Sequence, residues 1–232
     1  MRKVILLTLC LGLLAAPAWA FSVDFSTGFT PAGGKNYGAT LNAANSANYI
    51  PADLTITARS GMVATDEPLT VVGKPGTVFW GLANDLVGKN DYSGLGVQDS
   101  GAGGSKGISG DVAKADKMEA LIFTFANPLD VDSIKLTLAG VNDGDTAVFH
   151  VKLSPELEYT FTVFSSDIVT YDFSSFTGAS GNISQFAVEA TSGHFIVSGL
   201  QYNVPVPPTV LLLGSGLLGL VGLRWRRRKT DV

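Results

Sequence analysis

The 232-residue chain has a formal net charge of −4. Seven of its 16 basic residues lie at the two ends, but only one of its 20 acidic residues does. The body between the ends therefore carries a net charge of about −10. An acidic body argues against nucleic acid as a partner, because phosphate binding depends on clustered Lys and Arg. The single cysteine, Cys10, lies in the N-terminal apolar run, which excludes disulfides, thiol catalysis and cysteine-ligated metals elsewhere in the chain.

The first twenty residues have the three parts of a secretory signal peptide. Two basic residues precede an apolar run over 4–16, and the small residues Ala18 and Ala20 occupy the −3 and −1 positions of a cleavage site. We expect export through the Sec translocon and cleavage after Ala20, so that the mature chain begins at Phe21. The short apolar core disfavours the alternative, an uncleaved signal anchor.

The region 21–203 is long enough for one β domain with a sizeable core. Short alternating or apolar segments lie at 120–125, 133–138, 146–153, 159–163 and 186–189. Period-two alternation is typical of a half-exposed antiparallel sheet, and no segment of this region has convincing helical periodicity. We therefore expect an all-β fold over 21–203, an antiparallel β-sandwich of jelly-roll-like type.

Turn chemistry divides these segments. Asn127-Pro-Leu-Asp130 predicts a turn, and Asn142-Asp-Gly-Asp145 predicts a tight hairpin in which Gly144 takes positive φ. In 146–153 one face holds Ala147, Phe149, Val151 and Leu153, whereas His150 and Lys152 share the other face. We therefore expect His150 at a solvent-exposed face.

Catalysis and metal binding have little support in this sequence. His150 and His194 are its only histidines, and no pattern brings them together beside a carboxylate. Asn142, Asp143 and Asp145 could hold Ca²⁺ through oxygen ligands, but an Asx-rich turn is the simpler interpretation. We expect no catalytic residue, no metal site and no cofactor.

Three aromatic residues suggest a different kind of site. Jelly-roll domains often bind sugars, and Trp80, Tyr92 or Tyr171 could supply stacking surfaces for them. This hypothesis rests on analogy of fold, and it names polysaccharide as a partner of the β domain.

The C-terminal region has three ordered parts. Prolines over 204–208 end the strands, because proline cannot continue a ladder of backbone hydrogen bonds. The uncharged stretch 209–223 predicts a transmembrane helix, just long enough when its flanking residues are included. Basic residues over 224–229 then resist translocation and keep the tail in the cytoplasm. The stop-transfer residues are Arg224, Arg226, Arg227, Arg228 and Lys229.

This order of a proline motif, an apolar helix containing Leu-Leu-Gly-Ser-Gly-Leu-Leu-Gly-Leu, and terminal arginines resembles a PEP-CTERM sorting signal. The Pro-Glu-Pro triplet of that family appears here as a variant with valine in place of glutamate, in the sequence Val204-Pro205-Val206-Pro207. The resemblance implies that exosortase, a membrane enzyme of Gram-negative bacteria that make exopolysaccharide, recognises this motif. The chain would then be an inner-membrane intermediate that later reaches the cell surface, the extracellular matrix or a biofilm.

The leading hypothesis from the sequence is a non-enzymatic surface or matrix protein with a structural, adhesive or glycan-binding role. One alternative is a single-pass, membrane-anchored surface protein whose tail is never processed. A weaker alternative is an exported glycan hydrolase, because glycoside hydrolysis needs only two carboxylates that are near in space.

Overall fold

A computed structural model describes residues 19–26, 35–46, 50–60, 74–75, 77–84, 91–98, 108–111, 119–141, 145–151, 157–163, 168–175, 181–204 and 216. The chain divides into two units, Phe21–Tyr202 and a second unit made of Met1–Ala20 with Asn203–Val232. The first unit is described below. Most of the second unit lies outside the described residues, including the apolar run of the predicted signal peptide and the basic tail. Among the helices that are described, none is long and apolar enough to cross a membrane.

Fourteen β-strands and two short 3₁₀ turns, Val131–Ser133 and Phe173–Ser175, make up the secondary structure of 19–204 as described. The strands are β1 Trp19–Asp24, β2 Lys35–Asn36, β3 Thr40–Asn42, β4 Leu54–Ser60, β5 Lys74–Pro75, β6 Thr77–Asn84, β7 Asp91–Gln98, β8 Ile108–Asp111, β9 Glu119–Asp130, β10 Lys135–Ala139, β11 Asp145–Val151, β12 Leu157–Val163, β13 Ile168–Asp172 and β14 Asn182–Val204. The predicted all-β class is confirmed.

The strands form two antiparallel sheets that share β14. Sheet 1 has the order β2–β6–β7–β14–β10–β13, with β1 also beside β14. Sheet 2 has the order β3–β4–β9–β14–β11–β12, with β5 on β4 and β8 on β14. Residues 182–195 of β14 pair in sheet 2, and residues 196–201 pair in sheet 1. A single strand therefore joins the two sheets.

Gly193 lies just before the point at which β14 leaves sheet 2. Its φ of 72° is a left-handed conformation that residues with a Cβ rarely adopt. A Cβ built on Gly193 would also overlap the carboxylate of Asp145, which is buried. The register with β11 shifts by one residue close by, between Thr146 and Ala147. Conformation and space both require glycine at this position.

Aromatic side chains from both sheets fill the space between them. Phe149 of sheet 2 contacts Tyr171 of sheet 1, with ring centroids 5.1 Å apart. Phe186 stacks on Phe123 at 4.8 Å and meets Phe173 edge-on at 5.2 Å. Burying a side chain of this size contributes about 1.5–3 kcal/mol. These contacts between facing sheets confirm the predicted antiparallel β-sandwich; its jelly-roll-like type stays a prediction.

Two strands of sheet 1 end in the same short sequence. Asp24-Phe25-Ser26 begins at the last residue of β1, and Asp172-Phe173-Ser174 begins at the last residue of β13. In each, Oδ1 of the aspartate accepts hydrogen bonds from the serine N–H and hydroxyl, at 2.8 and 2.5 Å after β1 and at 3.0 and 2.6 Å after β13. The phenylalanine between them is fully buried. The aspartate closes a turn and the phenylalanine anchors it in the core.

The predicted turn at Asn127-Pro-Leu-Asp130 is wrong, because β9 continues through Asp130. Its register with β14 shifts here, since Thr124 pairs with Gln185 but Leu129 pairs with Ile183. Pro128 is exposed within this bulge, where its missing N–H breaks no ladder hydrogen bond. The chain turns instead at Val131–Ser133, where the Asp130 side chain accepts a hydrogen bond from the Asp132 N–H.

Candidate functional site

A groove of about 520 Å³ opens on the outer face of sheet 1, the face turned away from sheet 2. It lies where β1, β14, β10 and β13 run side by side. Side chains alternate along these strands, so the residues between the buried ones point outward. The outward residues that define the groove are Ser22, Asp24, Thr137, Ile168, Ser198 and Gln201.

The floor of the groove is built from small residues. Gly199 pairs with Thr137 across β14 and β10. A Cβ built on Gly199 would lie 3.6 Å from Thr137 Cβ and 3.7 Å from the Val23 carbonyl oxygen. Thr137 Oγ1 lies 3.0 Å from Thr170 Oγ1 on the neighbouring strand, within hydrogen-bond distance. Because the described residues of this floor carry no large side chain, another molecule can approach the sheet closely.

Polar groups are held in place around the floor. Ser26 donates two hydrogen bonds to Asp24 Oδ1, which fixes that carboxylate on the β1 side. The Ser198 hydroxyl donates to the carbonyl oxygen of Thr137 at 3.3 Å. Gln201 is exposed and has no side-chain hydrogen bond within the described part of the chain. The groove therefore presents hydroxyl, amide and carboxylate groups to a ligand.

An ion pair lies beside this groove. Lys135, which pairs with Gln201 in the ladder, has its Nζ 2.6 Å from Asp172 Oδ2. The hydrogen bond from Lys135, assisted by that from Ser174, lowers the pKa of Asp172 to about 2. The two charges therefore neutralise each other across the neutral pH range.

Ile168 forms an apolar edge on the β13 side. Its side chain is 57% exposed, and its ladder partner is Ala139. Large exposed apolar residues are few among those described, the other being Phe21. An exposed isoleucine beside a row of hydroxyl groups gives the groove one apolar wall and one polar wall.

The aromatic residues predicted to stack on sugars are not found at this groove. The Tyr171 ring packs against Phe149 between the sheets, and burial raises the pKa of its hydroxyl to about 12. Trp80 lies on β6 and Tyr92 on β7, but their side chains fall outside the described residues. The structure therefore removes Tyr171 from the predicted stacking surface and leaves the other two as predictions.

The prediction that His150 faces solvent is wrong. Its side chain is 2% exposed, and its Nε2 lies 2.8 Å from Oε2 of Glu189, which is also buried. The outer face of sheet 2 is covered here, since the neighbouring Ala187 and Ile122 are buried as well. Alternation identified the outward face correctly, but it does not report whether other parts of a protein cover that face.

The buried pair does not form a recognisable catalytic site. Among the residues that the structure describes, His150 Nδ1 and Glu189 Oε1 find no hydrogen-bond partner. His150 pairs with Ala187, whereas the half-exposed His194 lies seven residues further along β14, which is roughly 23 Å of extended strand. Within the described ranges no three His, Cys, Asp or Glu residues come together as a metal site. In the turn considered for Ca²⁺, Asn142, Asp143 and Gly144 lie outside those ranges.

One motif escaped the sequence prediction. Gly103-Gly104-Ser105-Lys106-Gly107 matches the pattern Gly-x-Ser-x-Gly of a serine nucleophile, and it lies outside the described residues. In hydrolases that use this pattern the serine sits on a turn between a strand and a helix. The match is weak because this stretch is rich in glycine and small residues.

The described residues include few of the predicted processing positions. Ala20 and Phe21 lie on β1, where both are exposed, and the Phe21 ring stacks on Tyr202 with centroids 5.9 Å apart. Val204 is the last residue of β14. Ala18, Pro205, Val206 and Pro207 lie outside the described residues, as do the five stop-transfer residues.

No protein-family model matches the chain, and no curated protein matches it significantly. Among solved structures, a mutant of the family 29 carbohydrate-binding module CBM29-2 is similar to this chain at 11% sequence identity. The match covers 81% of this chain and 93% of the module's chain, with a TM-score of 0.32. CpGH89CBM32-5 from Clostridium perfringens, in complex with GalNAc-β-1,3-galactose, is 13% identical over 37% of this chain and 66% of its own, with a TM-score of 0.26. TM-scores this low do not establish a shared fold, so the fold assignment rests on the strand pairing itself.

Proposed function

We propose that the chain is an exported, non-enzymatic protein whose jelly-roll-like β domain binds a glycan in the groove on sheet 1. The observation that carries this proposal is the groove itself, a shallow channel with a small-residue floor, a polar wall at Ser22 and Asp24, and an apolar edge at Ile168. A pyranose ring has a matching arrangement of hydroxyl groups around its rim and C–H groups on its faces.

The polar residues of the groove suit a binding role better than a catalytic one. Hydroxyl and amide side chains can both donate and accept hydrogen bonds, as sugar hydroxyls do. Asp24 is the one carboxylate among the described groove-lining residues, whereas glycoside hydrolysis generally uses two. We therefore favour binding over hydrolysis for this site.

The cellular location of the protein is part of the same proposal. The N-terminal signal would direct it across the inner membrane of a Gram-negative bacterium through the Sec translocon, with cleavage after Ala20. The motif Val204-Pro205-Val206-Pro207 would then be read by exosortase, and the protein would reach the cell surface or the polysaccharide matrix. This part is supported by the order of sequence features at the two ends of the chain.

Glycan binding by the full chain, followed by affinity measurements on groove variants, tests the proposed site. Gln201→Ala and Ser22→Ala each remove a polar group from an exposed position of the groove. A neutral hydrogen bond contributes about 0.5–1.5 kcal/mol, so each substitution should raise the Kd of a bound polysaccharide about two- to tenfold. Ile168→Ala should weaken binding by removing the apolar edge.

Two substitutions provide matched controls. Asn182→Ala and Ser184→Ala change exposed polar residues of the same β14 strand, at its end in sheet 2. They should leave the Kd unchanged. A polysaccharide that binds the wild type and every groove variant with equal affinity would refute the groove as the binding site.

Intact mass of the protein recovered from its native host tests the sorting. A C-terminus near Pro207, without the basic tail, is the expected result. A full-length chain ending at Val232 in the membrane fraction would support the alternative of an unprocessed membrane anchor.

A further inference from the structure

We propose that the groove binds a run of about three to four consecutive sugars of a linear glycan, laid across the strands of sheet 1. This inference rests on the proposed function and names the size class of its ligand. It follows from the positions of the polar end of the groove, of its apolar end and of the floor between them.

The polar end of the groove lies where β1 runs beside β14. The Phe25 N–H donates a hydrogen bond to the Ser198 carbonyl oxygen at 2.9 Å, and the Phe21 ring stacks on Tyr202. The two strands are therefore antiparallel. Two exposed residues that line the groove become neighbours at this end, Ser22 and Gln201. A hydroxyl and an amide can together hydrogen-bond to one sugar unit.

The apolar end of the groove lies two strands away from β14. Ile168 of β13 pairs with Ala139 of β10, whereas Gln201 pairs with Lys135 at the other end of β10. Lys135 and Ala139 are the first and last residues of that strand, which places them about 13 Å apart. The two strand spacings from β14 to β13 add about 10 Å across the sheet. Gln201 and Ile168 are therefore separated by roughly 16 Å along the diagonal of the groove.

A single sugar is too short to contact both ends. Adjacent strands lie about 4.8 Å apart, which is close to the length that one pyranose unit adds to a linear chain. The distance from Gln201 to Ile168 therefore corresponds to about three units, and reaching Ser22 on β1 adds about one more. The groove volume of about 520 Å³ agrees with this length, because sites of about 300–1,000 Å³ enclose ligands of drug size. An oligosaccharide has that size.

The floor between the two ends is low where the described residues form it. Gly199 and Thr137 pair with each other halfway along the diagonal. Gly199 has no side chain, and Thr137 Oγ1 lies 3.0 Å from Thr170 Oγ1, within hydrogen-bond distance. The central units of a glycan can therefore lie against the backbone of β14 and meet the Thr137 hydroxyl as they pass from one end to the other.

The first experiment measures affinity against chain length. The probes are linear gluco-, manno- and galacto-oligosaccharides of one, two, three, four and six units, together with the parent glucan, mannan and galactan. We expect the full chain to bind the tetrasaccharide of at least one series at least about tenfold more tightly than its disaccharide, because the longer probe contacts both ends. From four to six units the Kd should fall by no more than about threefold, the gain from the additional positions that a longer chain offers.

Variants at the two ends test whether one ligand contacts both. Gln201→Ala and Ile168→Ala should each raise the Kd of the tetrasaccharide at least about twofold. Because sites more than about 10 Å apart act independently, the double variant should raise the Kd by the product of the two factors. The disaccharide should respond to at most one of the two substitutions. Ser184→Ala, at an exposed position of β14 in sheet 2, should change neither Kd.

A steric block tests the path between the ends. The Cβ of Gly199→Leu would make ordinary contacts with Thr137 and with the Val23 carbonyl oxygen, and the rest of the side chain would stand on the floor of the groove. This variant should bind the tetrasaccharide no more tightly than the disaccharide. Ser184→Leu adds the same side chain outside the groove and should bind like the wild type. The urea midpoint of both variants shows whether the fold is kept.

The outcomes separate this inference from the proposed function. Equal affinity for one, two and four units, weakened by Gln201→Ala, would overturn the extended ligand and keep the groove as a site for single sugars. Binding of a parent polysaccharide without binding of its hexasaccharide would also overturn the length inferred here. Unchanged tetrasaccharide binding by a folded Gly199→Leu variant would overturn the path across the floor. Failure of every oligosaccharide and polysaccharide to bind would overturn the proposed function itself.

Discussion

Replacing Gly193 by alanine tests how β14 passes from one sheet to the other. Gly193 has a φ of 72°, where a residue with a Cβ costs about 1–2 kcal/mol. The new Cβ would also overlap the buried Asp145 carboxylate, and displacing that group from its polar contact costs about 1–3 kcal/mol. Alanine restricts the unfolded chain, which offsets about 0.4–1 kcal/mol. We expect Gly193→Ala to lower the free energy of unfolding by about 3 kcal/mol.

Urea unfolding of the full chain measures this change, and for a chain of this size it corresponds to a fall in Tm of roughly 6–12 °C. Gly199→Ala is the matched control on the same strand, because its Cβ would make only an ordinary contact with Thr137 at 3.6 Å. Gly38→Ala isolates the conformational cost, since Gly38 has a φ of 78° and nothing within 4 Å of an added Cβ. The cost should decrease from Gly193 to Gly38 to Gly199. Equal stability of the Gly193 and Gly199 variants, within about 0.5 kcal/mol, would refute the explanation.

Three further predictions concern the core and its titrating groups. Phe186→Ala removes a ring that contacts Phe123 and Phe173, and it should cost about 3–5 kcal/mol in chemical unfolding; a loss below about 1 kcal/mol would contradict the described packing. Glu189→Ala leaves His150 buried without its hydrogen-bond partner and should cost about 1–3 kcal/mol, whereas additive effects in a double-mutant cycle with His150→Ala would mean that the pair is not coupled. Burial raises the pKa of Tyr171 to about 12, so the contribution of its neutral hydroxyl to the free energy of unfolding is complete below pH 10 and is lost as the pH rises towards 12. Tyr171→Phe should therefore reduce the fall of the urea midpoint above pH 10. An unchanged pH profile would show that another group controls this fall.

The strands could be predicted from sequence where alternation is strong. The segments 146–153 and 159–163 coincide with β11 and β12 to within two residues, and 120–125 lies inside the longer β9. Side chains of a strand alternate between two faces whatever the strand pairs with. The segment 186–189 is the centre of a strand that extends over 182–204. Its C-terminal half was not predicted as part of the same strand, because Gly193 interrupts the sequence pattern although the strand continues through it.

The environment of His150 could not be predicted from local pattern. Its position between Val148 and Lys152 correctly assigns it to the face opposite Phe149. Whether solvent reaches that face depends on distant parts of the chain, and in the structure only 2% of the His150 surface is exposed. A polar residue in an alternating pattern therefore shows to which face of the strand its side chain points, but it does not show whether that face is exposed to solvent.

The groove was missed for a related reason. Its outward residues belong to β1, β10, β13 and β14, which lie far apart in sequence and become neighbours through pairing alone. Each residue is unremarkable where it occurs, since Ser, Thr and Gln are common on exposed strand faces. One local signal was available, the repeated Asp-Phe-Ser at 24–26 and 172–174, which marks the ends of the two strands that flank the groove.

The position of β14 has a consequence for the order in which this protein folds. β14 lies between β9 and β11 in one sheet and between β7 and β10 in the other, yet it is the last strand along the chain that the structure describes. Neither sheet can close until residues 182–204 have been synthesised, and the late pairing of distant strands makes folding slow. Under the proposed export, this arrangement would keep the chain unfolded for longer before it crosses the membrane, because the domain cannot complete its core while it is still emerging from the ribosome.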